Sequence, residues 1–310
     1  MVSTRTLVRR YLAHRRSMGY LLCEGHLLLD FARFKDSAAP DRPLTTALAL
    51  QWATSIPTNR RATHANRLSM VRSFARYCAL LDPRTQVPEP YLLGRCFRRI
   101  RPHIFTPAQV ALILRRTQSL STHLSPLQPM TYATLIGLLA CTGMRPGEAL
   151  HLRLDDFQPQ AGLLRIGRCK SSPERMIPLH ATTVRALQDY CRARRSLFPS
   201  GESLFVGTTG QPVQPVTMDL IFRRLAAGIA SNGERPSCRL MDFRHSYASQ
   251  CIAQLSRQSK PVSHYLLRLA RYLGHRDFSS TWWYVSTEPK SLRSAANSFG
   301  RFHEQNQPLP

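Results

Sequence analysis

The chain has 310 residues, 43% of them hydrophobic, and carries a formal charge of +25 from 43 Lys and Arg against 18 Asp and Glu. That length suits about two domains with buried cores, and the charge calls for a polyanionic partner in both parts, since 17 basic residues stand against 6 acidic ones up to residue 100 and 26 against 12 after it. No apolar run is long enough to span a bilayer and the opening Met1-Val2-Ser3-Thr4-Arg5 lacks a signal-peptide core, so no membrane role is expected and the protein reads as soluble and cytoplasmic.

Apolar residues recur three or four apart over Thr4–Gly19, His26–Lys35, Thr45–Ser55 and Thr58–Leu81, with Gly, Pro or Asp between the segments. This spacing predicts a small helical bundle. In the fourth segment Arg60, Arg61, Arg67, Arg72 and Arg76 interleave with Ala65, Leu68, Val71, Phe74 and Ala75, so that one face would pack and the other meet phosphates. Over residues 82–104 Pro83, Pro88, Pro90 and Pro102 surround Arg95, Arg98, Arg99 and Arg101. Prolines at that density predict an extended basic linker, placed at 91–104 between an N-terminal domain (1–90) and a second domain (105–310).

Thr106-Pro107 supplies an N-cap and a first-turn proline for a helix reaching about Gln118. An apolar helix from Met130 to Cys141 then delivers the chain to Thr142-Gly143-Met144-Arg145-Pro146-Gly147-Glu148, where the glycines and proline make a tight turn. Glu148 follows Arg145 by one helical turn and can orient it. Leu163–Ile166 and Arg175–Pro178 read as paired strands joined by a hairpin that holds Lys170. Helices are predicted from Asp242 to Leu255, carrying Arg244-His245, and from Val262 to Arg271 or Tyr272. A short loop presents Leu273-Gly274-His275. Asp277 to Thr281 then open a further helix in which Trp282 and Trp283 precede Tyr284.

Eight cysteines, at positions 23, 78, 96, 141, 169, 191, 238 and 251, form no Cys-x-x-Cys pair. Structural zinc would need close-spaced ligands; reduced, mostly buried thiols are expected, with neither metal nor cofactor implied.

Arg145, Arg244, Lys170, His275 and Tyr284 form a set suited to attack on a phosphodiester by a phenol. Two guanidiniums can grip the non-bridging oxygens where charge develops. A tyrosine hydroxyl can serve as nucleophile, and a lysine whose pKa is lowered by neighbouring cations can protonate the leaving oxygen. Only four lysines, at 35, 170, 260 and 290, occur against 39 arginines, which points to a need for a titratable amine at Lys170. Tyr265 and Tyr272 are rival nucleophiles.

These blocks, Thr142 to Leu150, Ile166 to Lys170, Asp242 to His245, Tyr272 to His275 and then Tyr284, resemble those of the tyrosine recombinase (phage integrase) family over roughly residues 105–300, in the family's order. The last of these motifs resemble those of transposon-borne members. The resemblance implies a mainly α fold: an N-terminal helical core-binding domain and a C-terminal, α-rich catalytic domain with a small antiparallel sheet, closing as a clamp on double-stranded DNA. It implies strand cleavage and rejoining through a 3′-phosphotyrosyl link, without metal or ATP. In that chemistry Tyr284 is the nucleophile, Arg145, Arg244 and His275 hold the phosphate, and Lys170 is the general acid. Glu148 and His245 support them.

The resemblance also implies a homotetramer on two synapsed sites, with accessory DNA-bending proteins as possible partners. Leu292, Ala295, Ala296, Phe299 and Phe302 have an apolar spacing suited to docking on a neighbouring subunit or folding back. One position departs from the pattern. The family's histidine three residues before the second arginine is Met241 here, and a thioether cannot take a proton from a phenol. Two alternatives stay open: a DNA-binding accessory protein with impaired catalysis, and a type IB topoisomerase or resolvase-like enzyme.

Overall fold

A computed structural model describes residues 2–20, 22, 25–57, 60–95, 102–123, 125–167, 174–229, 238–255 and 262–275. The chain divides into two units, Met1–Arg99 and Ile100–Pro310.

The first unit contains α1 (Thr4–Ser17), α2 (Gly25–Ala38), α3 (Thr46–Thr54) and α4 (Arg61–Ala79). Ser3 and Thr45 cap α1 and α3 with their hydroxyls. Asp36 on α2 accepts the Thr4 and Arg5 backbone N–H groups at 3.2 and 3.3 Å, so a carboxylate sits at the positive end of α1. The core is built from Val8, Leu12, Phe31, Trp52, Val71 and Phe74.

Two members of the basic series on α4 do not lie on a phosphate-facing surface. Arg67 is 5% exposed, sits 3.9 Å over the Trp52 ring and donates to the Trp52 carbonyl at 2.8 Å and the Ser55 hydroxyl at 3.3 Å. Arg72 donates to the Pro88 carbonyl at 3.0 Å. A buried guanidinium is retained where carbonyls and a π face replace its water. Arg60, Arg61 and Arg76 are exposed, as are Arg5, Arg9, Arg10 and Arg16 on α1.

The proline-rich stretch after α4 does not begin as a free linker. Gln86 donates its N–H to the Leu44 carbonyl at 2.8 Å and accepts from Thr46 at 3.0 Å. Val87 and Leu93 pack on the bundle. Prolines remove donors but leave carbonyls, and that of Pro88 is the one Arg72 uses. Pro102, His103 and Phe105 are buried in the second unit.

That unit holds α5 (Pro107–Thr117), α6 (Gln128–Thr142), α7 (Pro146–Leu150), a 3-10 turn at Leu154–Asp156, β1 (Phe157–Gln158), β2 (Leu163–Ile166), β3 (Arg175–Pro178), α8 (Ala181–Leu197), α9 (Pro215–Leu225), α10 (Met241–Leu255) and α11 (Val262–Leu273). α5 begins with the full capping box: the Thr106 hydroxyl accepts the Gln109 N–H and the Gln109 amide oxygen accepts that of Thr106. The sheet is antiparallel in the order β1-β2-β3, with Leu164 opposite Ile177 and Ile166 opposite Arg175. β1 is an added edge that its two residues were too short to announce.

α6 is apolar nearly all round and is buried accordingly, with Leu135, Ile136, Leu138 and Leu139 in the core. Phe105 stacks on Phe243 of α10 at 4.5 Å, and Phe222 of α9 meets Phe243 edge-on at 5.6 Å. Ser246 accepts the Phe105 N–H at 2.8 Å. These contacts fix α10 against α9 and the segment leading into α5, and α10 carries Arg244.

Among the five described cysteines Cys78, Cys191 and Cys238 are buried, Cys251 is half-buried and Cys141 is exposed. No described helix is long and apolar enough to cross a membrane.

Candidate active site

α6 ends where Gly143 adopts a left-handed conformation at φ 62° and returns its N–H to the Leu139 carbonyl at 3.0 Å. Only glycine suits this point, because a Cβ there would lie 2.6 Å from Cδ1 of Tyr247. The reversal places Arg145 in extended geometry as the N-cap of α7, with Pro146 in the first turn. Glu148 reaches back one turn: Oε2 accepts the Arg145 backbone N–H at 2.9 Å and Oε1 accepts from its guanidinium at 2.9 Å. The Arg145 side chain is 22% exposed, that of Glu148 only 2%.

A second guanidinium closes on the same carboxylate. Arg175, the first residue of β3, donates from Nη1 to Oε1 of Glu148 at 3.1 Å and from Nη2 to Oε2 at 2.8 Å, a bidentate pair with both side chains buried. Burial by itself would raise the Glu148 pKa. The hydrogen bond from Arg175, that from the Arg145 N–H and both guanidinium charges outweigh burial and hold the carboxyl below its ordinary value.

The third part is the C-terminus of α11. Gly274 is left-handed at φ 69°; its N–H returns to the Arg271 carbonyl at 3.0 Å and that of His275 to Ala270 at 2.9 Å. This is the Schellman geometry, and it explains the glycine in Leu273-Gly274-His275. Three successive carbonyls beyond this closure each receive an arginine. Arg175 Nε donates to Tyr272 at 2.8 Å, Arg244 Nη2 to Leu273 at 2.7 Å, and Arg145 Nη2 to Gly274 at 3.4 Å. Arg244 also donates to the Gly143 carbonyl at 3.1 Å, joining the two glycine turns. Cations at the negative end of a helix dipole are stabilised there. Arg244 is almost fully buried, at 2% exposure.

Arg145, Arg244 and Glu148 are therefore brought together, and His275 follows the turn they hold. It is half-buried, as are His245 on α10 and Met241, the first residue of that helix. Lys170 and Tyr284 lie outside the described residues, as do Cys169, Trp282 and Trp283. Of the rival tyrosines, Tyr272 stacks on Tyr247 with centroids 5.7 Å apart, and burial pushes both phenols up; Tyr265 is half-buried on α11. Arg175 is the residue that sequence reasoning missed. Its only signal was a basic residue at the start of a strand, indistinguishable from the many other arginines. Among the described residues no group of three or more His, Cys, Asp or Glu side chains is placed to hold a metal ion.

The family model described as "Phage integrase family" matches residues 104–290. A protein of Sinorhizobium fredii, provisionally named integrase/recombinase y4rB, is 33% identical over 97% of this chain and 98% of its own length. Tyrosine recombinase XerC of Azotobacter vinelandii is 29% identical over 51% of this chain and 48% of its own length. Among solved structures, the Tn1549 transposon integrase in complex with transposon right end DNA superposes with a TM-score of 0.69 at 16% identity, covering 97% of this chain and 99% of the other. A lambda integrase dimer bound to a core site gives 0.59 at 17% identity, covering 91% and 77%.

Proposed function

The chain belongs to the phage integrase family of tyrosine recombinases and is a site-specific recombinase, and from that premise we propose that it cleaves and rejoins double-stranded DNA through a covalent link to Tyr284. The phenol oxygen attacks the scissile phosphorus as its proton passes to solvent, a Tyr284 O–P bond forms, and the P–O bond to the 5′-oxygen breaks. Lys170 gives that oxygen its proton. The product is a 3′-phosphotyrosyl enzyme and a free 5′-hydroxyl. Attack on the link by the 5′-hydroxyl of a partner strand reverses these bonds and exchanges the strands. The phosphodiester energy is kept in the link, so the cycle consumes neither ATP nor a metal.

The observation that carries this reading is the convergence of Arg145 and Arg244 on the turn that ends in His275. Donors held in place before the substrate arrives need no reorganisation when charge develops on the phosphate oxygens. Their fixed fork also matches two oxygens of one phosphate. The exposed arginines of α1 and α4 supply further phosphate contacts on the DNA, with a homotetramer on two sites as the working assembly. The DNA-bound forms named for the Tn1549 and lambda integrases accord with a duplex partner here.

The test uses nicked duplexes tiling the DNA that flanks the coding sequence, incubated with the protein in EDTA and resolved under denaturing conditions. A protein–DNA adduct that disappears in Tyr284→Phe, with binding retained, is the expected result; an adduct persisting in that variant refutes the nucleophile. One observation favours a second reading. Met241 stands where the family has a base, so binding without any adduct would make this chain an accessory protein.

A further inference from the structure

Glu148 is shared between two cations. If it paired with Arg145 alone, one buried carboxylate would cancel one guanidinium, and little field would remain at the exposed end of Arg145. Arg175 changes that balance. Its fork covers both Glu148 oxygens at 3.1 and 2.8 Å, and with 8% exposure it is screened from water, so two guanidiniums share this one carboxylate. The same side chain holds the Tyr272 carbonyl at 2.8 Å, two residues before the Gly274 carbonyl that Arg145 contacts. Arg145 likewise bonds both to Glu148 and to a C-terminal carbonyl of α11.

We propose that Arg175 is a positioning residue of the recombination reaction: by neutralising Glu148 it leaves Arg145 a net positive charge for the scissile phosphate, and by holding Tyr272 it fixes the turn ending in His275. It acts through Arg145 and the turn and does not touch DNA. The inference rests on the proposed role of Arg145 at the phosphate.

The full-length chain and its Arg175→Met, Arg175→Lys, Glu148→Gln and Arg175→Met/Glu148→Gln variants would be compared for the rate of adduct formation on whichever nicked duplex the unaltered chain cleaves. Arg175→Met is expected to slow the adduct about 10- to 100-fold, the scale of a small misplacement at a reacting centre. Adding Glu148→Gln should recover most of that loss, because it removes the charge Arg175 was neutralising. Arg175→Lys, which keeps the charge and loses the fork, should fall between.

A second substrate separates charge from scaffold. With a neutral methylphosphonate at the scissile position there is less anionic charge to offset, and the Arg175→Met defect should shrink to within about 3-fold if it arises from lost electrostatic stabilisation. A defect equal on both substrates and unrelieved by Glu148→Gln overturns the proposal, as does a rate unchanged in Arg175→Met. Should Arg175→Met fail to fold, the double variant leaves no buried carboxylate at Glu148 deprived of its bidentate partner. A double variant as inactive as Arg145→Ala then overturns the proposal, and one within about 10-fold of the unaltered chain supports it. If the unaltered chain forms no adduct on any duplex, the functional reading itself falls and the role of Arg175 with it.

Discussion

Gly143→Ala probes the junction between fold and site. The residue sits at φ 62°, where an L side chain is strained, and an added Cβ would lie 2.6, 2.8 and 3.0 Å from Cδ1, Cγ and Cβ of Tyr247. Tyr247 cannot swing aside cheaply, since its ring stacks on Tyr272 at an interplanar angle of 20°. The left-handed backbone costs about 1 kcal/mol and overpacking about 1–3 kcal/mol more, so the catalytic unit should lose roughly 2–4 kcal/mol. Gly228 provides the control. It has φ 74° with nothing within 4 Å of an added Cβ, so Gly228→Ala should cost only the backbone part, about 1 kcal/mol. Urea unfolding of both variants, followed by hydrogen exchange on α6 and α10 so that the two units are not conflated, gives the comparison. Equal destabilisation would refute the argument from Tyr247. Because the Gly143 carbonyl also holds Arg244 at 3.1 Å, the alanine variant should lose adduct formation beyond its loss of stability.

Arg67→Met should destabilise the N-terminal unit by about 2 kcal/mol, since it leaves the Trp52 carbonyl and ring without their cation. Exposed Arg76→Ala should leave stability within about 0.5 kcal/mol and lower the salt slope of DNA binding by about one; urea midpoints and salt titrations check both. Met241→His should leave binding unchanged and raise the adduct rate, and an unchanged rate would mean that the missing imidazole does not limit cleavage. Glu148 is held below its ordinary value of 4.5, so its ionised pairing contributes fully above about pH 4.5 and is lost as pH falls through the lowered folded value. Acid unfolding of the catalytic unit should therefore shift to higher pH in Arg175→Lys, and equal acid midpoints would contradict the shared-carboxylate geometry.

The parts of the site that were legible in the sequence are those that local chemistry dictates. Gly143, Pro146 and Gly147 mark a tight turn and Glu148 follows Arg145 by one helical turn, so the setting of Arg145 could be read from spacing, whereas Arg244 and the Leu273-Gly274-His275 turn were picked out by the resemblance of their blocks. The Thr106 N-cap with its first-turn Pro107 and the pairing of β2 with β3 follow from the same short-range rules. What was hidden depends on distant partners. Arg145 and Gly274 are 129 residues apart, Arg175 and Tyr272 97. Arg67 and Arg72 lie on a helix whose sequence offers no reason to separate them from exposed Arg76. Whether an arginine grips a phosphate or a carbonyl is decided by what the fold brings to it.

The preference for arginine over lysine gains a physical meaning at α11. Each of the three cations there must satisfy a backbone carbonyl and a second acceptor at once: Glu148 for Arg145 and Arg175, and the Gly143 carbonyl for Arg244. A planar guanidinium with five donors can bridge two such acceptors in a fixed geometry, whereas an ammonium is a point charge on a flexible stem. Arginine cannot, however, release a proton near neutral pH. A reaction that needs both a rigid cationic cradle and a proton donor must add a group of another kind, and under the proposed mechanism that group is Lys170. The cradle would also make it a stronger acid, because several fixed positive charges disfavour its protonated form. Lys170→Arg should then keep DNA binding and lose cleavage, with activity returning on a duplex whose 5′-bridging oxygen is replaced by sulfur, a leaving group that needs no proton. Failure of that substrate to restore the adduct would remove the general-acid role from Lys170 while leaving the arginine cradle as described.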